Sequence, residues 1–314
     1  MSSLVLLTAA LMADPAAATA MVLEVNGDIE ADRAGKRLLL DDGDLLHGGD
    51  KLLLPAGSSI KVYFRPTGPV MMLKGPAEAV VEARGFDTTA QVAIRDPKLP
   101  ARAADGLLRQ DSQSSLVGGL TLRGIGGDKV GHPPVHPVVG MTVSSQTPAF
   151  VWPKLEGATH YRLELITGAD GRQIPVWRFE TKETRTDYPV NKKPLIRGQG
   201  YRWRVLATMP DGTVKPVVPD LLPFTVLSPE LASELAKIQT LSDSKDPADW
   251  RLAAEIYRSW ALYDEPVQLY EKLAKNRPES RRIWEILAKY YEQAGESQRQ
   301  KAAEEKRDQL KASR

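Results

Sequence analysis

The sequence has no cysteine, so disulfides, thiolate nucleophiles and cysteine-ligated metals are excluded. Histidine is nearly as scarce: four in 314 residues leave few bases for a nucleophilic triad. No apolar run approaches the roughly 20 residues a membrane-spanning helix needs. The run at Leu4–Met12 has nine, so no membrane span is expected. A dominant charge sign is also missing, since 42 Lys and Arg stand against 40 Asp and Glu. The slight basic excess falls in residues 101–227, with 16 basic against 11 acidic; residues 228–314 hold 16 of each. Spread in this way it forms no patch, and a nucleic-acid partner is not expected.

The motifs of common enzymes are absent too. Gly124-Ile125-Gly126-Gly127-Asp128-Lys129 lacks the spacing of a phosphate-binding loop, and no Ser or Thr follows the lysine. There is neither H-E-x-x-H nor G-x-S-x-G. Asp41, Asp42, Asp44 and Asp50 cluster in turns but do not follow the calcium-loop pattern, so they are expected to bond their own backbone. His132 and His136 lie in His-Pro-Pro-Val-His-Pro, where three prolines forbid a helix; solvated linker histidines are expected. The expectation is no catalytic residue, no cofactor, no metal and no enzyme.

What is present is patterned. Residues 1–20 have the form of a secretory signal, with an apolar core at Leu4–Met12 and Ala18-Thr19-Ala20 as a small-x-small site before Met21. No Lys or Arg precedes the core. The expected location is the periplasm. From Met21 to about residue 100, short apolar runs alternate with turns every eight to twelve positions, which implies an all-β barrel or roll. Asn26-Gly27, Asp42-Gly43, Gly48-Gly49 and Ala56-Gly57 supply the turns. Leu39–Leu53 (LLDDGDLLHGGDKLL), followed by Gly57-Ser58 and Ile60–Phe64, resembles the FecR domain. Members of the iron-signalling type carry a helical segment and a membrane helix before this domain. Neither is found here, so their anti-sigma activity is not carried over.

Residues 101–140 are rich in Gly, Ser and Pro and are expected to be a linker. Residues 141–227 alternate strictly in Tyr161–Leu165 and Tyr201–Val205, with aromatic and aliphatic residues on one side and charges on the other. That pattern predicts a two-sheet sandwich with a solvated outer face. Pro148-x-Phe150-x-Trp152, Tyr161-x-Leu163 and Leu195-x-x-Gly198-x-x-Tyr201-x-Trp203 resemble a fibronectin type III domain, including its tyrosine corner. Trp152 and Trp203 are expected in the core, whereas Trp177 is left open as an exposed aromatic.

After Ser228-Pro229 the apolar period becomes 3.6, predicting a helix to about Leu241; Asp246-Pro247 starts another to about Tyr263. A 34-residue repeat pairs Trp250 with Trp284, Ala253 with Leu287, Ala254 with Ala288 and Tyr257 with Tyr291. With Tyr270 and Pro278 at matching offsets, residues 228–314 resemble tetratricopeptide repeats. Pro266 fits only in the first turn of its helix, and the polar helix at Ser297–Leu310 suits a terminal cap. By the offsets of that resemblance, the partner-facing surface is Arg251, Glu255, Arg258, Ser259, Glu285, Lys289 and Glu292. Their mixed charge also suits a solvated helix face.

The expected chain is therefore multidomain: an all-β FecR-like domain (21–100), a linker (101–140), a fibronectin type III-like β-sandwich (141–227) and α-helical tetratricopeptide-like hairpins (228–314). Such modules imply a non-enzymatic scaffold or adaptor of the cell envelope, with protein partners or peptidoglycan or polysaccharide. Two alternatives are a FecR-type sensory component and a carbohydrate-binding accessory protein, the latter requiring exposed aromatics.

Overall fold

Alternating apolar residues broken by glycine turns give ten short strands in the first part of the chain. The computed structural model describes residues 18–109, 135–168, 173–217 and 221–312. Leu4–Met12, Gly118–Gly127 and His132 lie outside the described residues. The chain divides into two compact units, Met1–Pro97 and Lys98–Arg314, the first mainly β and the second β followed by α.

In the first unit the strands are β1 (Ala18–Asn26), β2 (Glu30–Arg33), β3 (Lys36–Leu39), β4 (Leu45–His47), β5 (Lys51–Leu54), β6 (Ser59–Phe64), β7 (Val70–Lys74), β8 (Ala77–Val81), β9 (Phe86–Asp87) and β10 (Val92–Arg95). They form two antiparallel sheets, ordered β10-β7-β6-β1-β4 and β3-β2-β5-β8-β9. Ile29, Leu46, Leu52, Ile60, Val62, Phe64 and Leu73 fill one core. Each such side chain contributes about 1.5–3 kcal/mol by burial.

The two Gly-Asp steps work alike. Gly43 and Gly49 take positive φ, 87° and 90°, and their amides bond Val22 O and Val81 O at 2.8 Å. Asp44 and Asp50 then accept from the amides three residues back, Asp41 N at 2.8 Å and His47 N at 2.9 Å. These are the turn acids expected from the sequence. Two of them also reach further, Asp42 to Val25 N at 2.7 Å and Asp50 to the Arg33 guanidinium.

Ala18-Thr19-Ala20, the small-x-small site of the sequence, are the first three residues of β1, with Ala20 fully buried between β4 and β6. Arg65 N donates to Thr19 O at 3.0 Å and the Arg65 guanidinium to Ala18 O at 2.6 Å. Cleavage after Ala20 would remove both bonds.

The second unit begins with a helix, α1 (Ala101–Arg109), where the sequence suggested linker. Ala103, Ala104 and Leu107 are buried, and the helix packs on α3, described below. The strands that follow are β11 (Thr142–Val143), β12 (Ala149–Val151), β13 (His160–Thr167), β14 (Ile174–Thr181), β15 (Arg185–Asp187), β16 (Gly200–Thr208), β17 (Val214–Pro216) and β18 (Leu222–Val226). A six-stranded sheet runs β11-β18-β16-β13-β14 with β17 on β16, and β12 pairs with β15. The strict alternation buries Phe150, Trp152, Tyr161, Trp203 and Phe224. Phe150 sits at the centre of the aromatic cluster, 5.3 Å from the Trp203 ring. The Tyr201 hydroxyl accepts from Ile196 N at 2.8 Å, tying the corner as its spacing implied.

Five helices close the unit: α2 (Pro229–Ser242), α3 (Pro247–Ser259), α4 (Asp264–Asn276), α5 (Arg281–Ala294) and α6 (Ser297–Ala312). Ser228 and Asp246 cap α2 and α3, each followed by proline at the first position. Pro266 lies in the first turn of α4, where its missing N–H costs nothing. The 34-residue period extends to the hydrogen bonds. Trp250 Nε1 donates to Ser244 O at 2.6 Å, and Trp284 Nε1 to Pro278 O at 3.0 Å, both six residues back. α3 stops four residues short of Tyr263 because Ala261 takes φ 58° and turns its carbonyl to Thr142 N at 2.8 Å.

Candidate interaction surfaces

On α3, positions 251, 255 and 258 fall on one face by the i, i+4, i+7 rule. The expected solvated charge is not there. Arg251 is fully buried and Glu255 is 2% exposed, so neither is available to a partner. Glu255 accepts from Arg258 through both Nε, at 2.9 Å, and Nη2, and from the Tyr270 hydroxyl. Burial would raise the Glu255 carboxyl, but the Arg258 charge, the Tyr270 hydrogen bond and Arg251 outweigh it and hold it below the usual range. Burial pushes the Tyr270 hydroxyl well up, and the Glu255 charge adds to that. The Arg251 guanidinium makes no hydrogen bond and lies 5.8 Å from the Tyr270 ring, a cation–π contact. Two of the three charges on this face of α3, Arg251 and Glu255, are thus internal, while Arg258 is half-buried.

Ser259 is covered by α1. A Cβ built on Gly106 would stand 2.3 Å from Ser259 Oγ and 3.1 Å from its Cβ, so a larger residue here has to displace the Ser259 side chain. The second repeat differs. Glu285 pairs with Arg282 at 2.9 Å and Lys289 at 3.1 Å, and both Lys289 and Glu292 are exposed. Of the seven predicted residues, Arg251 and Glu255 are buried, Arg258 and Ser259 are half-buried, and Lys289 and Glu292 of α5 are exposed.

His136 is not a solvated linker histidine. Its Nε2 is 2.9 Å from Asp264 Oδ2 at the start of α4, and its Nδ1 is 3.0 Å from Ala149 O on β12. Both ring nitrogens face acceptors, an arrangement that only the imidazolium satisfies fully. Burial pulls its pKa down, but the Asp264 hydrogen bond and charge more than offset this and raise it. Burial likewise raises the neighbouring Glu265 carboxyl, against a hydrogen bond with Ser144. With Val135 N bonded to Ala294 O at 3.3 Å, these contacts join the β part of the second unit to its helices.

Trp177 is buried at 6% exposure, edge-on to Tyr188 at 5.3 Å and stacked with Phe179 at 5.4 Å. It offers no exposed platform for a sugar ring.

Sequence reasoning missed a groove of about 520 Å³ on the outer face of sheet β3-β2-β5-β8-β9. Its signal was the alternation of Glu30/Asp32, Lys51/Leu53 and Glu78/Val80 on paired strands. Leu53, 46% exposed, sits mid-face between Glu30 and Glu78, and Leu39, 42% exposed, stands beyond Glu30 in the same row. Arg37 bonds Glu30 at 3.3 Å, while Glu78, Asp87 and Lys51 have no ion-pair partner among the described residues.

No family model matches this chain, and no curated protein is similar to it. Among solved structures, it is similar to the crystal structure of β-1,2-glucanase from Parabacteroides distasonis, with 11% identity and a TM-score of 0.20. The match covers 94% of this chain and 58% of that one. Because that neighbour is an enzyme, the expectation that this chain is not one is withdrawn. A TM-score of 0.20 assigns it neither an activity nor a fold.

Proposed function

We propose that this chain is a modular scaffold or adaptor of the bacterial cell envelope, built from a FecR-like domain, a fibronectin type III-like sandwich and tetratricopeptide-like hairpins. In this reading a protein partner is held by the groove on the first unit and not by the α3 face. The observation that carries it is the pairing of exposed Leu53 and Leu39 with a surrounding set of charges. An apolar centre inside a polar rim is the anatomy of protein interfaces. Four carboxylates (Glu30, Asp32, Glu78, Asp87) against Arg37 and Lys51 fit a partner with basic side chains.

A photo-reactive residue placed at Leu53 of the full chain, expressed in its own cells, tests this. A discrete protein adduct that disappears in Glu78→Lys/Asp87→Lys is expected. No adduct, or one indifferent to those charges, contradicts the groove as the partner site.

A further inference from the structure

We propose that the outer face of the six-stranded sheet in the second unit binds an anionic polysaccharide. The proposal concerns a different unit and a different ligand from the groove above and does not depend on it.

The argument starts from the pleat. Residues that alternate with the buried Tyr161, Leu163, Trp177, Tyr201, Trp203 and Val205 point outward, and on the three adjacent strands β14, β13 and β16 four of these are arginines. Register fixes their layout: Glu164 of β13 stands between Arg178 of β14 and Arg204 of β16, Arg162 precedes it on β13, and Arg202 precedes Arg204 on β16. The basic excess that looked dispersed along the sequence is gathered here by strand pairing.

Glu164 is the anchor. Its carboxylate receives Arg204 through Nε at 2.9 Å and Nη2 at 2.7 Å, lies 3.2 Å from Arg178 Nη2, and lies 3.3 Å from Arg162 Nε. Burial would raise its pKa, but the Arg204 hydrogen bond and the three cations hold it low, so it stays ionised. One carboxylate thus gathers three guanidiniums that would otherwise repel one another. A carboxylate has about four acceptor sites, whereas each guanidinium offers about five N–H donors, so most donors remain unused. Arg202 has no ion-pair partner among the described residues, and Glu180 is the other acid of the face. Among the described residues of the three strands, four arginines against two glutamates leave the face at +2.

The chemistry of the ligand follows from what the face holds and lacks. Guanidinium forks held in place by Glu164 recognise carboxylate, sulfate or phosphate oxygens in bidentate fashion. Arg178 is 67% exposed and Arg204 is 42% exposed, so their free edges reach solvent. No aromatic ring points outward from these positions; Trp177, Trp203, Tyr161 and Tyr201 all lie on the inner side. Protein interfaces centre on aromatic or aliphatic anchors, and single-stranded nucleic acids need stacking platforms. Ile166 and Leu206 share this face, opposite Arg202 and Arg162, but neither is an exposed apolar residue. A flat array of fixed cations without an exposed anchor fits a hydrated chain bearing regularly spaced anions.

The test is a binding titration of the full chain at low salt with polygalacturonate, neutral dextran, poly-glutamate, duplex DNA and phosphatidylglycerol vesicles. Polygalacturonate should bind, weaken steeply with added salt, and lose at least tenfold in affinity in Arg178→Gln/Arg202→Gln. Lys192→Gln/Lys193→Gln should bind as the parent does. Circular dichroism shows whether the exposed substitutions leave the fold intact. Absence of polygalacturonate binding, equal binding by dextran, or an unchanged Arg178→Gln/Arg202→Gln overturns the proposal. Preference for poly-glutamate, DNA or vesicles at equal charge concentration overturns the polysaccharide assignment.

Discussion

The first turns of α3 and α5 occupy the same place in the 34-residue repeat yet live in opposite environments. Both carry a tryptophan bonded to the carbonyl six residues back. Thirty-four residues carry Arg251, Glu255 and Arg258 onto Glu285, Lys289 and Glu292, so each charge is reversed. On α3 the first two are buried; on α5 the last two are exposed. Repeat position decides which way a side chain points, while the neighbouring elements decide whether it meets water. α1 covers the end of α3, and α4 supplies Tyr270 against its charges, while Lys289 and Glu292 of α5 face solvent.

The sharpest way to break this comparison is to remove one charge from each helix. Glu255→Ala leaves Arg251 and Arg258 without their carboxylate, and a broken buried pair typically costs about 3–5 kcal/mol; urea unfolding of the second unit measures it. Next in size is Gly106→Leu, which forces α1 off Ser259. Overpacking of this kind costs about 1–3 kcal/mol. The expected readout is faster hydrogen exchange in α1 with α5 unchanged.

The third effect depends on pH. The folded state raises the His136 pKa, so its contribution is complete below about 6.5, the ordinary value, and fades as pH rises through the folded value. Glu265, also raised, adds loss in the same direction above its own ordinary range, and Arg185 is the opposing neighbour that lowers His136. Thermal melts should therefore show the second unit losing stability as pH rises above the ordinary histidine value, and His136→Ala should flatten that limb. One charge-assisted hydrogen bond sets the scale at about 1.5–3 kcal/mol, less for its partial exposure. The smallest effect belongs to α5: Lys289→Ala should change stability by less than about 0.5 kcal/mol, as exposed i,i+4 pairs do.

Local chemistry was legible in the sequence where it acts alone. Ser228-Pro229 and Asp246-Pro247 start their helices, the two Gly-Asp steps make their turns, and Trp152 and Trp203 are core. Long-range pairing was not legible. The segment holding α1 has the Gly content of a linker, and Ser259, which Gly106 packs against, lies more than 150 residues away. His136 looked solvated because its partner Asp264 lies 128 residues on. The arginine face and the groove share this origin, since both arise from strands that the sheet brings side by side. A charge on α3 and its reversed copy on α5 carry the same local signal, so no reading of the sequence alone separates the buried one from the exposed one.

Because the chain has no cysteine, a single introduced thiol reports on one position. The direct test compares the labelling rates of Arg251→Cys and Lys289→Cys in the folded full chain with a soluble maleimide. The account predicts that Lys289→Cys reacts at nearly the rate of a free thiol, while Arg251→Cys reacts orders of magnitude more slowly, only as the unit opens. Similar rates at the two positions would contradict it.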